Sequence, residues 1–229
     1  MRLSIIVPCL DEAEHIAATL DACGEARTRG AEVIVVDGGS ADATQALARP
    51  RADVVMSAPR GRARQMNAGA ARARGEVLLF LHADSLPPLS ADLLLLDALA
   101  ASGRQWGRFD VAIAGRHVLL PVIGTLMNVR SRWTGIATGD QALFVTRGLF
   151  ERAGRFPEQP LMEDIALSSR LLRVGRPVCL RQQVVTSGRR WETHGVASTI
   201  LLMWRLRLDY WRGISADELA ARYAPRRKS

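Results

Sequence analysis

Residues 76–85 read EVLLFLHADS, and this stretch decides the fold. An unbroken apolar run from Val77 to Leu81 gives way abruptly to His82, Asp84 and Ser85. Such a run suits a strand buried on both faces, because a strand with one wet face would alternate. Similar runs precede it at residues 3–7 (LSIIV, closed by Pro8), 32–36 (EVIVV, ended by Asp37-Gly38-Gly39) and 53–57 (DVVMS). Residues 12–26, 41–48 and 62–74 (RARQMNAGAARAR) read as the intervening helices. Strands separated by helices predict βαβ units. The expected fold class is therefore α/β, a Rossmann-like, mostly parallel sheet flanked by helices.

In such sheets ligands bind beyond the carboxyl ends of the strands. Asp11 and Glu12 follow the first strand, Asp37 the second, and His82 and Asp84 the fourth. One such Asp is an ordinary loop or cap residue; several on one rim point to a site. A carboxylate at Asp84 can hold Mg²⁺ or Mn²⁺ bridging two phosphate oxygens. The plainer alternative is a cap for a helix beginning near Leu86, with which Pro87 and Pro88 are compatible. Arg60, Arg62 and Arg64 with Gln65 and Asn67 lead into the third helix, and arginines near a helix N-terminus suit an anion. A solvated helix face would explain them equally well. There is no G-x-G-x-x-G after the first strand and no G-x-x-x-x-G-K-[ST], so a diphosphate would need a metal or arginines.

The second half is less regular. Residues 106–113 and 141–146 (QALFVT) read as strands, and residues 118–133, 163–174 and 196–212 as helices. Glu163 and Asp164 occupy the first turn of one of them, where acidic residues also suit the helix dipole. Residues 226–229 are expected to fray. With no repeat and no low-complexity linker, residues 1–229 read as a single domain, 1–100 its nucleotide-binding half and 101–229 its acceptor half.

The composition, 48% apolar and 24% charged over 229 residues, is that of a folded globular chain. Lys plus Arg number 31 against 23 Asp plus Glu, a net charge of +8 carried almost wholly by Arg, with Lys228 the one lysine. A basic chain favours polyanions. The 5% aromatic content and the lack of an RNA motif argue against nucleic acid, whose bases need stacking partners. Cys9, Cys23 and Cys179 form no C-x-x-C pair, which predicts neither a disulfide framework nor a zinc site and fits a reducing, cytoplasmic setting. No signal-peptide pattern opens the chain. The apolar stretches 93–96 and 200–204 fall short of the roughly 20 residues a membrane span needs. Residues 199–212 (TILLMWRLRLDYWR) interleave Trp204, Tyr210 and Trp211 with arginines. That pattern reads as a peripheral contact with an anionic membrane, as a homodimer interface, or as a core helix.

Residues 4–14 (SIIVPCLDEAE), 33–44 (VIVVDGGSADAT), 61–75 (GRARQMNAGAARARG) with 76–85, and Met162-Glu163-Asp164 together resemble the family 2 inverting glycosyltransferases of the GT-A fold. The likeness is strongest before residue 90 and from about 139 to 175. The R-G-R-A-R-Q-M-N-x-G and L-H-A-D patterns are similar to a bacterial subgroup named for arsenosugar biosynthesis. The resemblance implies a nucleotide-sugar donor, a divalent metal (Mg²⁺ or Mn²⁺) and an acceptor hydroxyl of unspecified kind. Pro8, Leu10, Glu12 and Asp37 would hold the uracil and ribose, Asp37 accepting from a base N–H. Arg62 and Gln65 would line the donor pocket. His82 takes the place of the first Asp of the D-x-D motif, and Asp84 is its last carboxylate and the metal ligand. Asp164 would be the general base, beside Glu163.

Gly139-Asp140-Gln141 resembles the acceptor-side G-D-Q element. Arg189-Arg190-Trp191 resembles the Q-x-x-R-W element of processive members, but Ser187 stands where the Gln belongs, so processive synthesis is not expected. His194 is either a diphosphate or metal contact or a plain helix-start residue. A nucleotidyltransferase is the competing enzyme, yet its glycine-rich first loop is replaced here by the acidic Pro8-Cys9-Leu10-Asp11-Glu12. A non-catalytic nucleotide or nucleic-acid binder is the competing non-enzyme.

Overall fold

The computed structural model describes residues 1–223, with His194 as backbone only. The expectations for residues 226–229 and for the His194 side chain lie outside the described residues. The four apolar runs form parallel strands: β1 (Leu3–Cys9), β2 (Glu32–Asp37), β3 (Val54–Ser57) and β4 (Val77–Phe80). Alternate residues of β1 enter different cores, Ile5 and Val7 on one face of the sheet and Ile6 on the other. Burial of both faces is why these runs are unbroken.

The helices of this half are α1 (Ile16–Ala22), α2 (Gly24–Thr28), α3 (Thr44–Ala48), α4 (Arg62–Arg72) and, beyond the short strand β5 (Ser85–Leu86), α5 (Ala91–Ser102). Ile16 and Leu20 of α1 and Leu95 and Leu99 of α5 pack on the Ile5 face, while Ala63, Met66 and Ala70 of α4 pack on the Ile6 face.

The second half extends the same sheet. It supplies β6 (Trp106–Ala114), β7 (Phe144–Thr146) and β8 (Val178–Ser187), and the strand order becomes β3-β2-β1-β4-β7-β6-β8-β5. β7 runs antiparallel to both β4 and β6, β8 parallel to β6, and β5 antiparallel to β8. The parallel order expected from the sequence therefore holds for the first half and gives way to mixed pairing in the second. The remaining elements are α6 (Leu120–Thr134), a 3₁₀ turn (Gly139–Gln141), α7 (Arg147–Arg152), α8 (Glu163–Leu172), α9 (Arg189–His194), α10 (Val196–Trp211) and α11 (Ala216–Tyr223).

Two boundaries differ from the sequence reading for visible reasons. The first helix begins at Ile16 rather than near residue 12. The preceding loop is drawn onto the loop after β2, where Ser40 Oγ accepts from Asp11 N (2.9 Å), Thr44 Oγ1 from Glu12 N (2.8 Å) and Asp42 Oδ2 from Ala13 N (3.0 Å). Asp84 caps no helix: β5 follows it, and α5 starts only at Ala91.

The contact of α4 with the sheet is tight at Gly69, where an added Cβ would stand 2.5 Å from Ile6 Cγ2 and 3.0 Å from Val36 Cγ2. Alanine would improve helix propensity by about 1 kcal/mol, but overpacking a full core costs ~1–3 kcal/mol. We expect Gly69→Ala to lower the urea midpoint by a net ~1 kcal/mol or more. A stabilised variant would contradict this packing.

Candidate active site

A cleft of about 710 Å³ opens at the carboxyl ends of the parallel strands. Pro8, Cys9, Leu10 and Glu12 form its floor after β1, and His82, Ala83 and Asp84 the side after β4. Arg60, Gly61, Arg62 and Gln65 bring the N-terminus of α4 into it, and Asp140 and Glu163 stand on the wall built by the second half. Among the residues expected to form the site, the structure brings Pro8, Leu10, Glu12, Arg62, Gln65, His82, Asp84 and Glu163 to one cavity.

Asp37 is placed differently. It is fully buried and does not line the cleft. Its carboxylate accepts from Gly39 N (2.9 Å), Ser40 N (3.0 Å), the Ser40 hydroxyl and Gln45 Nε2 (2.8 Å). Burial would raise its pKa, but these donors hold it below the usual carboxylate range. In this structure the expected base contact is replaced by these bonds, through which Asp37 shapes the loop that carries Ser40 and Thr44. Gln65 reaches the cleft but spends both amide hydrogens tying strand ends together, donating to Cys9 O (2.7 Å) and Val36 O (2.8 Å). Cys9 is no nucleophile here, since burial and then the Asp37 charge push its thiol up to about 12.

Asp84 is half-buried, and among the described residues its carboxylate has one marginal partner, the Ser85 hydroxyl at 3.5 Å. It is a carboxylate with free lone pairs facing a cleft, and it fits one ligand of a hard divalent cation. Among the described residues no three His, Cys, Asp or Glu side chains converge as a metal cage. The remaining ligands would have to come from the donor and water. His82 turns elsewhere, with Nδ1 3.4 Å from Asp140 Oδ1. Its Nε2 is buried against Gly139, where a Cβ would sit 2.4 Å away. His82 thus pairs with Asp140 on the wall built by the second half and turns away from Asp84.

Across the cleft, α8 begins at Met162, whose φ of 65° is a left-handed conformation that costs a non-glycine residue energy. The turn aims Glu163 and Asp164 in different directions. Glu163 is buried, lines the cleft and lies 3.9 Å from an Arg62 nitrogen. Asp164 does not line it; Oδ2 accepts from Gly139 N (2.8 Å) and Oδ1 from Ile165 N (2.7 Å). Both titrate above the usual range. Burial is the main cause for each; the Asp164 charge adds to it at Glu163, and the two backbone N–H groups oppose it at Asp164. Asp140 moves the other way: burial would raise it, but His82, Arg62 and Arg130 lower it further.

Several cleft residues were not among the expected site residues. Thr186 and Ser187 come from β8, Met203 from α10 and Tyr223 from α11. Arg189 spans the cleft mouth and donates to both Glu12 oxygens at 3.0 and 3.3 Å, while the Arg190 guanidinium lies 3.5 Å over the Tyr223 ring. The R-R-W triplet was the available signal for these, and G-D-Q for Asp140.

Residues 4–140 match the family described as Glycosyl transferase family 2. The chain belongs to that family. Its fold matches solved GT-A structures. S. aureus TarS 1–349 in complex with UDP-GlcNAc superposes with a TM-score of 0.67 at 18% identity, over 82% of this chain and 58% of that one. Mannosyltransferase PcManGT from Pyrobaculum calidifontis, in complex with GDP-Man and Mn²⁺, gives 0.60 at 25% identity over 80% and 56%. Glucosyl-3-phosphoglycerate synthase from Mycobacterium tuberculosis, with Mn²⁺, UDP and glucosyl-3-phosphoglycerate, gives 0.57 at 19% over 80% and 70%. The chain thus spans 58% of TarS 1–349 and 56% of PcManGT. No curated protein matches it.

A buried acid with a raised pKa is most stable protonated, so its favourable contribution disappears as pH rises through the folded value. Glu163 therefore destabilises the protein at neutral pH. We expect Glu163→Gln to raise Tm by about 2 °C at pH 7.5 and to leave it unchanged near pH 4. A Tm lowered at pH 7.5 would show that its pairing with Arg62 outweighs burial.

Proposed function

We propose that this chain transfers a sugar from a nucleoside-diphosphate donor, a UDP-sugar first among candidates, to an acceptor hydroxyl with inversion at the anomeric carbon. One observation carries the reading: a single strand-end cleft sets the arginine-bearing N-terminus of α4 and the free Asp84 carboxylate against the buried carboxylate of Glu163. A helix N-terminus with Arg60 and Arg62 suits a diphosphate. Asp84 would hold a Mg²⁺ or Mn²⁺ ion, which when bound neutralises charge on the leaving diphosphate. The GDP-Man and Mn²⁺ of PcManGT, at 25% identity, support both donor class and metal.

Asp164 is the base in this reading; its oxygens accept from Gly139 N and Ile165 N behind the Glu163 wall, so the role requires its carboxylate to turn toward the acceptor. Its raised pKa gives it the basicity that an ordinary aspartate lacks at neutral pH. The acceptor oxygen attacks the anomeric carbon as the bond to the diphosphate oxygen breaks. The electron pair leaves with the diphosphate, and the acceptor proton passes to Asp164. Glu163, nearer the Arg62 charge, positions that arginine on the donor side. Residues 1–100 supply the donor wall and residues 101–229 the acceptor wall. The R-G-R-A-R-Q-M-N and L-H-A-D patterns support the arsenosugar-type subgroup, and three free cysteines support a cytoplasmic setting.

The test incubates the protein with Mn²⁺ and a panel of UDP-, GDP- and dTDP-sugars, following nucleotide binding by calorimetry and slow donor hydrolysis by chromatography. Binding to one nucleotide class is expected, weakened tenfold or more, about 1.4 kcal/mol, in Asp84→Asn. Asp164→Asn should keep donor binding and lose transfer by about 10²–10⁴-fold, with Glu163→Gln losing less. No binding to any donor would overturn the reading, and full transfer by Asp164→Asn would remove it as base. The acid limb of the wild-type pH profile should lie above the ordinary carboxylate range, because activity is lost as pH falls through a raised pKa.

A further inference from the structure

The outer surface beside the cleft carries a second pattern. On and just before α6, Val118, Leu119, Val122, Leu126, Val129 and Trp133 are exposed, Trp133 to 83%. They recur every three or four residues, so they form one stripe along the helix. On α10, Leu201, Trp204, Leu208 and Trp211 form another, Trp204 at 71% and Trp211 at 84%. The two helices meet along a seam: Leu120, Ile123 and Met127 of α6 pack with Val196 and Ile200 of α10. Each stripe lies roughly a quarter to a third of a turn from its seam residues, which places both on the outer side of the joint. Leu206, on the opposite side of α10, packs instead with Leu219 of α11 and Met162. An exposed apolar area of this kind marks an interaction surface.

We propose that this two-helix surface docks on an anionic lipid bilayer and holds the cleft mouth against it. The charge pattern selects that occupant. α6 contains no Asp or Glu. The one acidic residue of α10, Asp209, is buried and held by Arg222 at 2.8 Å. Arg116, Arg205 and Arg212 are exposed around the stripes, and the neighbouring Glu192 carboxylate accepts from Arg116 N at 2.8 Å. Arg205 also lies 3.9 Å from Asp209, but a second copy of the chain would still bring more arginines than carboxylates face to face. Anionic headgroups supply the missing charge, while tryptophans beside a polar rim suit the bilayer interface. No described helix is long and apolar enough to cross a membrane, so the surface rests on the bilayer. Met203 of α10 lines the cleft while its neighbours Leu201 and Trp204 are exposed, so the helix that docks is also part of the cleft wall. On the glycosyltransferase reading, which this last step rests on, the acceptor hydroxyl is membrane-borne.

Vesicle flotation tests the docking without reference to catalysis. The probes are phosphatidylglycerol–phosphatidylcholine vesicles and pure phosphatidylcholine vesicles. The full chain should float with the first and remain in the bottom fraction with the second. Trp204→Ser/Trp211→Ser and, separately, Leu126→Ser/Trp133→Ser should each cut the bound fraction about tenfold, since all four side chains are exposed and each helix contributes apolar area. UDP calorimetry on the same variants, expected unchanged, separates failure of docking from failure of the donor reading. Failure to float with anionic vesicles would overturn the proposal. So would normal flotation of the α6 variant, which would deny the two-helix surface. So would a stable dimer in solution that both double variants dissociate.

Discussion

The cleft depends on one pairing in the middle of the sheet. β4 and β7 run antiparallel, with Leu79 opposite Phe144 and Phe80 N donating to Leu143 O at 2.9 Å. Had β7 joined in parallel, the turn before it would lie at the far end of the sheet. Reversed, it delivers Gly139 and Asp140 to the end of β4 where His82 and Asp84 emerge. Phe80, Phe150 and Phe156 fix the joint from one face, with ring centroids 4.8 to 5.6 Å apart. A parallel first half and a mixed-pairing second half thereby share one cleft.

The polar groups at that joint are not arranged for stability. Glu163 and Asp164 are adjacent carboxylates in a low-dielectric wall; burial raises both, the Asp164 charge adds to the cost at Glu163 and the Asp140 charge to that at Asp164, and Met162 before them is in a left-handed turn. Around them the structure compensates: Gly139 N satisfies Asp164, Arg62 approaches Glu163, and His82 pairs with Asp140. The fold holds a titratable pair at raised pKa inside a network that keeps it in place, an arrangement that fits the proton transfer proposed for it.

The four parallel strands were legible because burial on both faces leaves an unbroken apolar signature, as in Val77 to Leu81. β8 was not, because its sequence carries Arg181, Gln182 and Gln183 where the strand is exposed and has no apolar run. The rim carboxylates could be located but not oriented. Asp37 and Asp84 look alike in sequence; Ser40 and Gln45 consume the first, while among the described residues the second has only the Ser85 hydroxyl. Likewise the directions taken by Glu163 and Asp164 follow from contacts with Arg62 and Gly139, far away in the chain. The stripe on α6 escaped notice because an amphipathic pattern does not say which face a neighbour will cover.

The most direct test is a crystal structure of the Asp164→Asn protein with Mn²⁺ and an intact UDP-sugar. The account predicts the diphosphate between Arg62 and Asp84, the metal on the Asp84 carboxylate, and the anomeric carbon facing the turn that begins α8, with room for an acceptor oxygen between. A nucleotide bound outside this cleft, or one bound within it with Asp84 remote from the metal, would contradict it.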